Sequence, residues 1–318
     1  MKVFEVINWA KGYLKEKKRE DPYLDAQILL SYILNLSKGD LYLIYQQKIR
    51  DEDLYNYQKA IKRRGEGEPV AYITGHSEFM SLKFMVNPQV FIPRPETEIL
   101  VEKVVERVRS AECGVRSAEC GMRSAECGMR DAECGMQNGG VTVVDLGTGS
   151  GCIAVSLAQL LPKVRIYALD ISPEALAIAL LNAKEQKVED KITFLQGDLL
   201  RPLRRYNLEG RVDVFTSNLP YIPQEEIEGL PPEVQFEPEI ALNGGEEGLY
   251  FYKETLPEMK DYLSPEGFLA FEVGIGQAKD VLDLCSNSGL GENLVFKDYA
   301  GIERVVVAYR NQKSKMKY

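Results

Sequence analysis

The four residues Asn218-Leu219-Pro220-Tyr221 close the apolar run VDVFTS, which reads as a strand. The Asn218 side-chain oxygen and the Leu219 backbone carbonyl are neighbouring acceptors, able to take both hydrogens of a planar NH2 group and aim its nitrogen. Tyr221 can lie against the plane of that group, and Pro220 stiffens the turn. A second run, VTVVDL, ends in Asp145-Leu146-Gly147-Thr148-Gly149-Ser150-Gly151. This is GxGxG preceded by an acid, distinct from the GxGxxG of dinucleotide folds. Glycines allow a sharp turn with a ligand lying on the backbone. An acid ahead of them repels a pyrophosphate and suits an ammonium group.

Two more strand ends carry carboxylates. Asp170, in ALDISPEAL, can accept from both hydroxyls of a ribose, or serve the helix that SPEAL opens. Asp198 can accept from an adenine amine, and Leu199 beside it can pack on the ring. Partners for an amino-acid end, a ribose and an adenine on successive strand ends point to S-adenosyl-L-methionine. The chemistry is then methyl transfer to a nitrogen held by Asn218, Leu219, Pro220 and Tyr221.

These loops need a scaffold. From Val141 the runs VTVVDL, RIYALD, ITFLQG, VDVFTSN, GFLAFEV and RVVVAY alternate with helical stretches. That pattern predicts an α/β fold, a doubly wound sheet of parallel strands with its ligands at their carboxyl ends. Before it, Val3, Phe4, Ile7, Ala10, Tyr13 and Leu14 fall at helical spacing. Further helices are predicted over DAQILLSYIL, near DLYLIYQQ and from Asp51 to Arg64. The run EFMSLKFMVNPQVFIP reads as a hairpin turning at Asn87-Pro88, and a helix opens at RPETE. The expected division is a helical-bundle domain at 1–74, a β-hairpin linker at 75–93 and a catalytic domain at 94–318.

Composition narrows the classes. Hydrophobic residues make up 45% and charged residues 27% of 318, which fits a globular chain with room for two domains. No apolar run is long enough to span a membrane, and Glu5 and Asn8 interrupt any leader-like start, so a cytoplasmic protein without a membrane partner is expected. A net charge of −9 argues against a generic polyanion binder, although residues 1–70 carry 13 Lys/Arg against 11 Asp/Glu. The single histidine, His76, speaks against a histidine-based dyad or metal site. Residues 110–137 repeat SAECGVR-SAECGMR-SAECGMR-DAECGMQ. Their cysteines, Cys113, Cys120, Cys127 and Cys134, lack the close pairing of zinc ligands, and each repeat lacks the large apolar residues of a coiled coil. Residues 110–138 read as a surface insertion, and Cys152 and Cys285 as buried thiols.

Beyond these single readings, nearly the whole chain outside 110–138 resembles the HemK/PrmC family of release factor glutamine methyltransferases. The resemblance rests on GEPVAYITGHSEF (67–79), FIPRPETEILVE (91–102), DLGTGSG (145–151), NLPY (218–221), NGGEEGLYFY (243–252), EVGIGQ (272–277) and DYAGIERVV (298–306). It implies a Rossmann-like class I methyltransferase that modifies the amide nitrogen of the glutamine in the Gly-Gly-Gln loop of peptide-chain release factors. It also implies that the 147–151 loop, Asp170, Leu199 and Asn218 bind the cofactor, that Asn218 to Tyr221 hold the glutamine, and that Arg94 and Thr97 lie near the site. The helical domain would help dock the release factor, the enzyme acting as a monomer with no nucleic-acid substrate. Leu219 departs from the family pattern Asn-Pro-Pro-Tyr. Asn-Leu-Pro-Tyr also resembles ribosomal RNA adenine dimethyltransferases, which leaves as one alternative an adenine-amine methyltransferase acting on RNA or DNA; the departure at Leu219 leaves as another a cofactor-binding paralogue without activity.

Overall fold

The computed structural model describes residues 1–112 and 140–310. Beyond Glu112 the repeat read at 110–137, with its four cysteines, lies outside the described residues. The chain packs as two compact units. Met1–Ser77, Lys83–Ile92 and Glu225–Leu242 form the first, and the remaining described residues form the second.

In the first unit the helical spacing gives α1 (Val3–Glu16), α2 (Pro22–Leu34), α3 (Lys38–Leu43), α4 (Asp51–Gly65) and α5 (Val70–Thr74). One stripe of α1, namely Val3, Val6, Ile7, Ala10 and Leu14, is buried with Leu29, Leu30, Tyr57 and Ile61 in a common core. Acids open α4 and bases close it, matching the helix dipole. Segment 225–242 joins this unit through Glu233, 3.4 Å from Arg19, and through buried Glu237, which accepts from the Ile92 amide at 2.9 Å.

The hairpin consists of β1 (His76–Phe79) and β2 (Leu82–Met85), so its turn is Met80-Ser81 and not Asn87-Pro88. Both turn residues sit at positive φ, 51° and 60°, as a two-residue type I′ turn demands. Neither is the asparagine or glycine that usually marks such a turn. A long-range contact compensates: the Met80 amide donates to the Glu98 carboxylate at 2.6 Å, and Glu98 belongs to the PETE segment. Asn87 instead closes a local turn, accepting from the Gln89 amide at 2.9 Å.

The second unit opens with α6 (Pro95–Glu112), whose first turn carries Pro95, Glu96 and Glu98. Its sheet contains β3 (Val141–Leu146), β4 (Val164–Asp170), β5 (Ile192–Gln196), β6 (Val212–Ser217), β7 (Leu263–Glu272), β8 (Leu290–Lys297) and β9 (Glu303–Arg310). The order is β5-β4-β3-β6-β7-β9-β8, Rossmann-like, with β3, β4, β5, β6 and β7 parallel as predicted. Helices Cys152–Leu160, Pro173–Glu185, Tyr250–Tyr262 and Ala278–Asn287 lie between the strands in sequence.

Two features differ from the sequence reading. LGENLVFK forms β8 although Gly291 and Asn293 interrupt its alternation, and its pairing slips between Gly291 and Leu294. The final run, β9, lies antiparallel to both neighbours. Only residues 298–302 separate it from β8, too few for a parallel crossover. Asp298 holds that tight turn by accepting from the Ala300 and Ile302 amides, each at 2.9 Å. No helix among the described residues is long and apolar enough to cross a membrane.

The hairpin turn makes a measurable prediction. Ser81 is exposed at φ 60°, so Ser81→Gly should stabilise the protein by about 1 kcal/mol in urea denaturation, because glycine adopts that conformation without strain. A loss of stability would mean the turn lies elsewhere.

Candidate active site

The glycine turn follows β3 and is held from behind by a carboxylate. Asp145 is fully buried and accepts from the Thr148 hydroxyl at 2.6 Å and the Thr216 hydroxyl at 3.0 Å. Burial pushes its carboxyl up to about 6, against the pull of those two hydroxyls. Fully buried and accepting a hydroxyl on each oxygen, Asp145 shapes the turn and lends it negative charge from beneath. Gly147, Gly149 and Gly151 all take positive φ, at 71°, 55° and 80°. A Cβ on Gly149 would meet nothing within 4 Å, so the outer face of the turn is open to a ligand. Ser150 and Thr148 are buried, and the Asn182 side chain donates to the Ser150 carbonyl at 2.8 Å.

Asp170, at the end of β4, ties neighbouring segments together. It accepts from the Gly149 amide at 2.8 Å and the Ser172 amide at 2.9 Å. Burial raises its pKa and these backbone donors oppose the rise. Ser172 supplies the helix cap, accepting from the Ala175 amide, so Asp170 is free of that duty. It is only half-buried and keeps lone pairs for further donors. At the next strand end Gly197 donates to the Asp170 carbonyl at 3.0 Å. Leu199 beside it sits at φ 48°, a strained conformation for leucine. The Asp198 carboxylate is half exposed and 3.1 Å from Arg201.

Asn218 and Tyr221 leave the end of β6 beside the first turn of α6 and the end of β7. The Asn218 side-chain nitrogen donates to the Thr97 hydroxyl at 3.2 Å. Thr97 in turn donates to Glu272 at 2.5 Å, and the Tyr221 hydroxyl donates to the other Glu272 oxygen at 3.2 Å. The backbone of Tyr221 is fixed as well. Its carbonyl accepts from Gln277 at 2.9 Å, and a Cβ on Gly248 of the NGGEEG loop would lie 2.2 Å from that oxygen, so only glycine fits there. Burial raises the Tyr221 pKa, Glu272 adds to the rise, and the cations of Arg304 and Arg94 oppose it. Arg94 and Thr97 therefore do lie around the motif.

Leu219 has a structural task. Its side chain is buried among the core residues under β3, β4 and β6, and a Cβ on Gly147 would stand 3.1 Å from its Cδ2. The leucine fills the space beneath the glycine turn, while its backbone carbonyl remains part of the motif. The structure thus gathers Gly147 to Gly151, Asp170, Asp198, Leu199 and Asn218 to Tyr221 on the carboxyl ends of adjacent parallel strands. Their features fit an adenosyl amino acid: an open glycine face, a half-buried carboxylate between turns, and a half-exposed carboxylate beside a leucine. Glu272 was not singled out from sequence. Its signal was an acid at the end of the apolar run FLAFE, the same placement as Asp145 and Asp170. Cys285 is buried and Cys152 half-buried, and burial pushes both thiols up to about 12, which leaves neither as a nucleophile.

Residues 5–75 match the PrmC N-terminal domain and residues 137–289 a methyltransferase domain. The release factor glutamine methyltransferase of Moorella thermoacetica is 40% identical over 294 residues, covering 92% of this chain and 93% of that protein. That of Geobacter sulfurreducens is 37% identical, covering 95% and 94%. Among solved structures, the hMettl16 catalytic domain in complex with MAT2A 3′UTR hairpin 6 matches at 13% identity with a TM-score of 0.51, covering 83% of this chain and 84% of that one, a likeness of fold alone.

Packing at Leu219 sets a test of the turn. Leu219→Ala should lower stability by about 2–5 kcal/mol in chemical denaturation, through the lost side chain and the cavity beside Gly147. A change below about 0.5 kcal/mol would show that the turn does not lean on this side chain.

Proposed function

The chain belongs to the release factor glutamine methyltransferase family, and we propose that Asn218 to Tyr221 present the Gly-Gly-Gln glutamine of a peptide-chain release factor for N-methylation. The supporting observation is the Asn218 amide, whose nitrogen is turned to Thr97 so that its oxygen faces the other way. That oxygen and the Leu219 carbonyl accept the two hydrogens of the glutamine amide. Tyr221, fixed at its hydroxyl and its carbonyl, lies against the amide plane.

Gly147, Thr148, Gly149, Ser150, Gly151, Asp170, Asp198, Leu199 and Asn218 hold S-adenosyl-L-methionine. When bound, this cofactor supplies a sulfonium methyl group, and the electron pair of the broken carbon–sulfur bond returns to a neutral thioether. An amide is a poor nucleophile because its lone pair is delocalised, so the contribution of these residues is alignment. As the nitrogen–carbon bond forms, the nitrogen becomes more positive, and the two acceptors disperse that charge. The extra proton leaves the nitrogen for water after transfer. Residues 1–74 dock the release factor, 75–93 link, and 94–318 carry the reaction, in a monomer working in the cytoplasm.

Co-expression with a release factor should add the mass of one methyl group to its Gly-Gly-Gln peptide. Asn218→Ala should lower the rate on the order of 10²–10³-fold even at saturating labelled cofactor. Transfer to RNA and none to release factor, assayed side by side, would overturn the assignment.

A further inference from the structure

The structure assigns Glu272 a positioning role in the reaction: through Thr97 it fixes which end of the Asn218 amide faces the substrate. This rests on the reading of Asn218 as the glutamine's acceptor and goes beyond it to a residue outside the motif.

A count of protons carries the inference. Glu272 is 1% exposed, and its two oxygens lie 2.5 Å from the Thr97 hydroxyl and 3.2 Å from the Tyr221 hydroxyl. As a carboxylate it only accepts, so both hydroxyls must donate to it. A threonine hydroxyl has one proton. With that proton spent on Glu272, Thr97 can only accept from Asn218. The Asn218 amide must then turn its NH2 end to Thr97, and its oxygen is left for the substrate. The other arm does the same for the ring: Tyr221 is held at its hydroxyl by the same carboxylate. Thr97 is itself 1% exposed, so water cannot replace the link.

Protonation would reverse the chain. A neutral Glu272 can donate to Thr97, which can then donate to the Asn218 oxygen and expose the NH2 end to the substrate nitrogen. Two donors would face each other. Burial pushes Glu272 up to about 7, against the pull of Thr97, Tyr221 and Arg304 and with Glu96 adding to the rise. The other groups that sense this carboxylate are Tyr252, whose hydroxyl donates to the Glu272 backbone carbonyl, and Cys152. The ionised form prevails above about pH 7. The rate should therefore fall as pH drops through that value.

The test compares full-length variants on a release factor at saturating cofactor. Glu272→Gln keeps the shape but points a donor at one of the two hydroxyls. It should lower kcat on the order of 10–100-fold, with KM for the release factor and cofactor affinity little changed, and it should lose the acid limb of the pH profile. If that variant fails to fold, Thr97 decides the matter. Thr97→Val keeps the side-chain shape and should lower kcat comparably, and Thr97→Ser, which restores the hydroxyl, should recover most of the rate. A wild-type enzyme that methylates release factor, matched in kcat by Thr97→Val, would overturn the positioning role and leave the assigned reaction standing.

Discussion

A carboxylate buried in a protein must find donors inside it, and the groups it recruits lose their freedom. Leaving an ionised carboxylate unsatisfied costs several kcal/mol, so this constraint is hard to relax. Glu272 recruits Thr97 and Tyr221. Asp145 recruits Thr148 and Thr216. These two carboxylates stand on β7 and β3, and in the sheet β6 runs between those strands. The strand that delivers Asn218 to Tyr221 is thereby flanked on each side by a buried acid, one fixing the glycine turn and the other fixing the motif.

Polar bonds set directions in this site, and apolar packing sets heights. Leu219 lies under the glycine turn and keeps Gly147 and the start of the motif in contact. Compared with a proline, leucine at this position gives up backbone rigidity and gains a buried side chain. The carbonyl proposed as the substrate's acceptor belongs to the backbone, so the exchange leaves it in place. Gly248 works from the other side, where the NGGEEG loop comes so close to the Tyr221 carbonyl that no side chain fits.

Much of this was legible in the sequence because it is local. The strands β3 to β6 and the GFLAFE part of β7 are largely apolar runs with few polar interruptions, and Asp145 near the end of β3 with the glycines after it can be read from their spacing. Most of the buried stripe of α1 could be counted from helical spacing, which gave Val3, Ile7, Ala10 and Leu14 but passed over Val6 and included the half-buried Phe4 and Tyr13. What escaped depends on distant partners. The Met80-Ser81 turn has unsuitable residues for its backbone, and the Glu98 carboxylate that supports Met80 arrives from the next helix. Strand β8 is interrupted by Gly291 and Asn293 and gains its place from β9 alongside. The reversal of β9 follows from a connection of a few residues, which could have been counted. Glu272 reads as the polar end of a strand until the fold brings Thr97 and Tyr221 to it.

The claim that Glu272 and Thr97 act through Asn218, and not merely beside it, is tested most directly by a double-mutant cycle on kcat. Thr97→Val, Asn218→Ala and the double variant would be measured on release factor with saturating S-adenosylmethionine. The account predicts that Thr97→Val slows the wild type but adds almost nothing once Asn218 is alanine, because no amide remains to be oriented. Independent effects, with the double variant slowed by the product of the two single losses, would contradict it.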